Sequence, residues 1–528
     1  MISSAERWPV VRSAAVAVIP RRAARHVTWL LLGTLVVVVA GVYYATLLRD
    51  VGYAPDTAKF QYLGRVLGTA HQPGYPLFTG LLALAVRILP VSTDAFGANL
   101  LSAVFGVAAC AVAFLVLLAL DVRRVLALAG ALLVGFSRTF WSQAVVVEVY
   151  TLSTLFAVGV LALLLRWERT RRDRDLVVAL ALYALSLAHT TAALLLAPGV
   201  ALFVACIDRR VLVRRQVLRS LPLFALLAIG PYAYIVWRTL VPAPYVEVTI
   251  RSVGDLLQAV SGTGFRDHML AFGPWELIVE RIPMFATLLR YQPLMWVIPL
   301  AVAGAIRMGR RPANLLLGAW CGAVTLWALE YAIVDVFVYF ILTYVLIVVW
   351  ATVGFDWLVG VLPAQTRLVA AGMALLAPLA ALMTNHAVVD RSEDSTGRAI
   401  RSALARMSDG GVVFSSDYHY FNYYLLGEGQ QEALRIYAAP PAPMERIVRY
   451  CRGESIDLGD AAGAAPPNLP VYAYNDWYLE SIQARGFVIE TVRGQLARID
   501  CSTPPPQYVP LPDDIWGSTA ATDVAESG

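Results

Sequence analysis

Tyr53–Phe78 reads YAPDTAKFQYLGRVLGTAHQPGYPLF, and it follows closely on WLLLGTLVVVVAGVYYATLL, Trp29–Leu48. The second string is apolar over a length sufficient to cross a bilayer core, which takes ~20 residues of helix. The first gathers an Asp, a His, several Gly and Pro, and Lys59, the chain's one lysine. A polar, irregular segment directly after a membrane span is costly to maintain without a task. Fold and function are both read outward from this junction.

The composition fits a polytopic α-helical membrane protein. Hydrophobic residues make up 59% and charged residues 15% of the chain, against ~25% charged in an average soluble domain. The formal charge of +5 carries no nucleic-acid signal, because the arginines stand in short clusters between apolar runs. Cytoplasmic loops of membrane proteins hold such an excess. Lys59 being the one lysine, a P-loop GxxxxGK is excluded. No GxSxG, and no GxGxxG leading a helix, is found. Six histidines without HxxxH or CxxC argue against zinc, and the sequence offers no metal-ligand set while leaving a divalent cation open.

Charge fixes the threading. Residues 1–26, with Arg21, Arg22 and Arg25, read as a cytoplasmic N-terminus, and Val27–Leu48 as a retained first span without a cleavage site. Residues 49–95 form a first outer loop that ends in a short interfacial helix, Pro76–Pro90. The Arg clusters Arg123–Arg124, Arg166–Arg174, Asp208–Arg219 and Arg307–Arg311 then all fall inside. Tight outer turns follow at Ser137–Thr151, Leu187–Ala192 and Glu330–Phe340. The sum is about eleven spans within a membrane domain of residues 27–388. An odd number from an inside start places residues 389–501 on the exoplasmic side. There a helical pattern (Ile400, Leu404, Met407), Gly-Gly and strand-like runs at Val412–Ser415, Leu469–Asn475, Gly486–Val492 and Gln495–Asp500 predict a soluble α/β domain. Residues 502–528 read as a disordered tail. Cys451 and Cys501 are the two cysteines of the outer domain, where an oxidising compartment favours a disulfide.

This threading collects Asp56, Lys59, His71, Arg138, Glu148, His189 and Asp335 on the outer side. Ionisable groups at membrane depth suggest function, although Asp56 and Lys59 also have the i,i+3 spacing of an ordinary helix pair, and Arg138 and Glu148 could close their own hairpin. His-Gln-Pro-Gly-Tyr-Pro presents His71 and Tyr75 on a turn stiffened by two prolines. One carboxylate beside a rigid turn at the lipid surface suits sugar transfer from a polyprenyl phosphate to a hydroxyl. Asp56 would be the base, inverting the anomeric centre. Lys59, His71 or Arg138 would meet the departing phosphate.

Pro55–Leu81, Ser137–Phe156 and Tyr331–Leu358 resemble the blocks of the protein O-mannosyltransferase-like branch of the GT-C glycosyltransferases, and Ser402–Leu425 resembles the start of their soluble domain. The resemblance implies a GT-C fold, Asp56 as the base of the first outer loop, and His71, Pro73, Gly74 and Tyr75 as its turn. Arg138, Glu148 and Asp335 would line the same cavity. It further implies a lipid-linked sugar donor, with mannose favoured, and a protein Ser/Thr acceptor. A cell-wall glycan is the bacterial counterpart, in a multi-pass protein of the plasma membrane. Members often carry a glutamate where Lys59 stands, which puts a two-carboxylate mechanism in question. Two other readings compete: a lipid-linked sugar flippase, and an inactive assembly subunit.

Overall fold

The computed structural model describes residues 21–502, apart from 242, 293–296, 443, 458–463, 485 and 494. The expected cytoplasmic segment up to residue 20 and the expected tail from 503 lie outside the described residues. The chain is a multi-span, mostly helical membrane protein with a small sheet near its C-terminal end.

Among the described residues, eight helices are long and apolar enough to cross a membrane, or nine if a pair bent by 67° is one span. That pair is α5 (Arg124–Gly135) and α6 (Arg138–Ala144). The difference from eleven lies in length. Helix α8 (Asp173–Leu187) has 15 residues, and Ile298–Met308 has 11. Inside lipid every backbone group must be satisfied within the protein, so apolar runs fold as helices whatever their β-branched content. Helix α1 (Arg21–Thr46) therefore forms through VVVV. Its apolar window is only 17% buried, whereas that of Val336–Val361 is 78% buried. The first is a lipid-facing edge of the bundle and the second is its centre.

Helix α7 (Tyr150–Thr170) fixes the two ends of the bundle. Around its Thr170 end the basic clusters meet acidic partners: Arg169 with Asp121, Arg166 with Asp175, Arg123 with Asp356, and Arg214 with both Asp173 and Asp208. The expected outer turns gather around its Tyr150 end, a helix length of roughly 30 Å away at ~1.5 Å per residue.

At the Tyr150 end, α2 (Pro55–Val66) and α3 (Pro76–Ile88) pack across Gly64, where a Cβ would come within 2.7 Å of the Leu82 backbone. Pro55 opens α2 and Pro76 opens α3, the helix position where a missing N–H costs nothing. Between them the turn is closed by Gly74 N–H donating to His71 O at 2.7 Å, with Gly74 at φ +88°. Helix α3 has 13 residues, short of the ~20 that cross a bilayer core.

The C-terminal sheet has five strands in the spatial order Ile436–Ala439, Gly411–Phe414, Val471–Tyr474, Leu496–Ile499, Ile489–Arg493. The first three are mutually parallel, and Leu496–Ile499 is antiparallel to both of its neighbours. Ile436–Ala439 was not expected from the sequence: RIYAAP is short and weak in β-formers, and its pairing with Gly411–Phe414 is what makes it a strand. Cys451 and Cys501 are joined, with Cα atoms 5.0 Å apart.

Two glycines set the tightest helix crossing. A Cβ on Gly304 would lie 1.9 Å from Trp350 O, and one on Gly354 would lie 2.0 Å from Leu300 O. Small residues allow such backbone approach in membranes. Gly304→Ala and Gly354→Ala should each destabilise by about 1–3 kcal/mol through overpacking. Gly318→Ala, with nothing within 4 Å, should leave thermal unfolding in detergent unchanged.

Candidate active site

Segment Val145–Val149, between α6 and α7, is irregular backbone buried in the protein, and α4 (Asp94–Ala119) satisfies it. Val147 N donates to Asn99 Oδ1 at 2.9 Å, and Asn99 Nδ2 donates to Leu48 O at 3.0 Å. Ser102 Oγ accepts from Glu148 N and donates to Glu148 O, both at 3.1 Å. Asn99 also accepts from Gln61 Nε2 of α2 at 3.2 Å. These two α4 residues, three apart on one helix face, thus hold the chain that carries Glu148 against the helix that carries Asp56. Neither was singled out in the sequence; the signal was a pair of polar residues inside an apolar span.

The result is a cavity of ≈ 730 Å³ walled by Asp56, His71, Tyr75, Glu148 and Asp335 together with Tyr53, Tyr150, Tyr331 and Tyr339. A smaller apolar branch of ≈ 120 Å³ runs between α7, α8 and the 336–361 helix. Five of the expected site residues are therefore together. Three are placed otherwise.

Lys59 is behind the wall, not on it. It is 3% exposed. Its Nζ donates to Asp56 Oδ1 at 2.8 Å, His71 Nδ1 at 2.9 Å and Glu247 Oε2 at 3.2 Å. An ammonium has three hydrogens, so none remains for the donor phosphate that the sequence reading gave it. Arg138 does not line the cavity either. The bend before α6 turns it toward Tyr291, with its guanidinium 5.2 Å from that ring. His189 lines the apolar branch, where its Nε2 lies 2.9 Å from Val149 O and 3.0 Å from Ser153 Oγ, among Phe78, Phe156 and Tyr75. It props the wall from behind.

Glu247, missed in the sequence among ordinary loop charges, is brought in by backbone pairing. Thr69 bridges Val246, and its Oγ1 accepts from Glu247 N and Val248 N at 3.0 Å each. Gly68 permits this approach, since a Cβ there would meet Tyr245 O at 2.3 Å. The sheet domain closes the back of α2: Tyr62 OH and His419 Nδ1 are 3.0 Å apart, and Tyr245 packs edge-on against both rings.

The carboxylates divide by environment. Burial works to raise Asp56, but the Lys59 ammonium outweighs it and holds the carboxyl well below the usual range. Its side chain is 48% exposed, opening onto the cavity. Burial would lower Lys59, yet Asp56 and Glu247 keep it charged. Burial first, then repulsion by Asp56, pushes Glu148 up to about 8, although Thr57 Oγ1 donates to its Oε1 at 3.0 Å. The same two causes raise Asp335 to about 6. Burial and then Lys59 lower His71. Because Lys59 can only donate, a neutral His71 accepts at Nδ1 and carries its proton on Nε2. At neutral pH the site thus offers the carboxylates of Asp56 and, for the most part, Asp335, the protonated carboxyl of Glu148, one imidazole N–H and several phenols. Among the described residues, no Arg or Lys lines the cavity, and no three His, Cys, Asp or Glu side chains are grouped closely enough to hold a metal ion as they stand.

Residues 56–212 match the family model described as the Protein O-mannosyl-transferase TMEM260 N-terminal domain. Over 211 residues the chain is 29% identical to Protein O-mannosyl-transferase TMEM260 of Mus musculus, covering 37% of this chain and 29% of that protein. The chain therefore spans under a third of the length of the curated relative it matches. In fold it is similar to ArnT from Cupriavidus metallidurans bound to undecaprenyl phosphate, with a TM-score of 0.58 at 12% identity over 89% of this chain and 97% of that one. It is also similar to the Archaeoglobus fulgidus oligosaccharyltransferase in the apo form, with a TM-score of 0.50 at 14% identity over 79% and 65% of the two chains. Both are glycosyltransferases of the GT-C fold, the fold expected above, and the matched segment begins at Asp56.

A pH test follows from Glu148. Its folded pKa, about 8, is above its ordinary 4.5, so between these values the folded state binds more protons than the unfolded state and loses stability as pH rises. Glu148→Gln removes this slope. Subtracting mutant from wild-type thermal stability in detergent should give a difference that falls from pH 4.5 to pH 8 and flattens beyond. A pH-independent difference would mean that Glu148 titrates normally.

Proposed function

With residues 56–212 of the protein O-mannosyl-transferase TMEM260 type, set in a GT-C fold, we propose that this chain is a membrane glycosyltransferase. In this reading it moves a sugar from a polyprenyl phosphate to an exoplasmic hydroxyl, with inversion. The observation that carries it is Asp56: an ionised carboxylate, pinned through one oxygen, opening onto a cavity that continues into an apolar branch. The sugar and its phosphate occupy the main cavity, and the first isoprene units occupy the branch.

Asp56 takes the proton of the acceptor hydroxyl as that oxygen bonds to the anomeric carbon. The bond from that carbon to the phosphate oxygen breaks, and the phosphate leaves with the electron pair. His71 Nε2–H, the protonated Glu148 and the cavity phenols donate hydrogen bonds to the sugar and to the leaving group. Mannose and a protein hydroxyl acceptor follow from the name of the mouse relative; a cell-wall glycan acceptor uses the same chemistry. The setting is a bacterial plasma membrane, with the N-terminus cytoplasmic and the sheet domain exoplasmic, where the acceptor meets the cavity.

One observation favours the inactive assembly subunit instead. With Lys59 fully engaged and no Arg or Lys among the described residues of the cavity wall, the donors left for the phosphate are neutral.

The deciding assay is sugar transfer by purified full-length protein from a panel of polyprenyl-phosphate sugars to membrane and cell-wall extract. Wild type should transfer one of them, and Asp56→Asn should reduce the rate about a hundredfold or more, the scale of a lost general base. Folded wild type that transfers nothing from any donor would move the assembly reading ahead.

A further inference from the structure

Three acceptors from three separate segments converge on the Lys59 ammonium. Asp56 Oδ1 comes from the start of α2, His71 Nδ1 from the turn after it, and Glu247 Oε2 from a loop nearly two hundred residues away in sequence, at 2.8, 2.9 and 3.2 Å. Two carboxylates and an imidazole are a donor set that divalent cations accept. Here the positive charge at their centre belongs to the chain itself, and it is buried.

The set is braced independently of the lysine. Tyr245 OH donates to the same Glu247 oxygen at 2.9 Å, and Thr69 holds the Glu247 backbone. The His71 ring is packed edge-on against Tyr75 and Phe265. Asp56 sits in the first turn of α2, with Pro55 before it. Taking the ammonium away would leave two carboxylates and an imidazole nitrogen facing one buried point.

We propose that Lys59 is the built-in cation of this site: it positions Asp56 as a bound divalent ion would, so that Asp56 works without added metal, and its removal turns Asp56, His71 and Glu247 into a divalent-cation site. The donors stand 2.8–3.2 Å from Nζ, whereas oxygen ligands lie about 2.0–2.6 Å from such ions. The set must therefore contract by roughly half an ångström. Lys59 is a positioning residue, and Glu247 is the anchor that holds it.

Mn²⁺ uptake tests this without any sugar donor. Full-length wild type, Lys59→Ala and Lys59→Ala/Glu247→Gln are titrated with Mn²⁺ in detergent, and free Mn²⁺ is read by electron paramagnetic resonance. Wild type should show no specific uptake, Lys59→Ala should bind one equivalent, and the double variant should bind it at least tenfold more weakly. Lys59→Ala is purified both with EDTA and with Mn²⁺. Folding only with Mn²⁺ supports the proposal. Folded Lys59→Ala without uptake overturns it, as does failure to fold under both conditions.

A second arm rests on the glycosyltransferase reading. Wild-type transfer should be unchanged by EDTA, and Mn²⁺ should restore at least a tenth of it to Lys59→Ala. Wild-type transfer that EDTA abolishes and Mn²⁺ restores would overturn the proposal. Absence of transfer by wild type would count against the enzyme reading alone, because the uptake experiment still decides this one.

Discussion

The requirement that no backbone group stay unpaired in lipid is the constraint on which this structure depends. A polar cavity at the end of a bundle of apolar helices needs irregular chain, and irregular chain exposes N–H and C=O groups that hydrocarbon cannot satisfy. Asn99 and Ser102 resolve this by offering amide and hydroxyl groups to Val147, Glu148 and Leu48. The price of opening a polar cavity is thus met from a single helix face. Because Asn99 also holds Gln61, the same face sets the distance between the two segments that carry Asp56 and Glu148.

Within that frame, charge is distributed by depth. Three carboxyl groups share the cavity, but only Asp56 has a cation at hydrogen-bonding distance. Low-dielectric surroundings penalise each further negative charge, so Glu148 and Asp335 are driven toward their neutral forms. One anion, one proton-bearing neighbour and one of intermediate character follow from the position of a single ammonium. Separation of acid and base roles by environment is how sites run both kinds of chemistry at one pH.

Much of this was legible in the sequence because the chain is so apolar. Asp56, His71, Glu148 and Asp335 stand out against hydrocarbon, and the Arg clusters mark the opposite end of the bundle. What could not be read was the use to which each group's hydrogen-bonding capacity is put. Lys59 seemed free for a phosphate because Glu247, which takes one of its hydrogens, lies in a loop where a carboxylate draws no notice. Arg138 was placed on the cavity wall because a 67° bend between two short helices leaves no trace in residue type. Asn99 and Ser102 draw no notice because their task, pairing backbone of another segment, shows only in the fold, and Ile436–Ala439 exists through its neighbour in the sheet more than through its own composition.

One hydrogen bond joins the end of the first long apolar helix to the chain that leaves the last. Arg391 N, just beyond the last long apolar helix, donates to Thr46 O at the end of α1 at 3.0 Å. The C-terminal ends of α1 and of the last long apolar helix therefore meet, so the chain that leads into the sheet domain is tied to the chain that leads into the helix carrying Asp56.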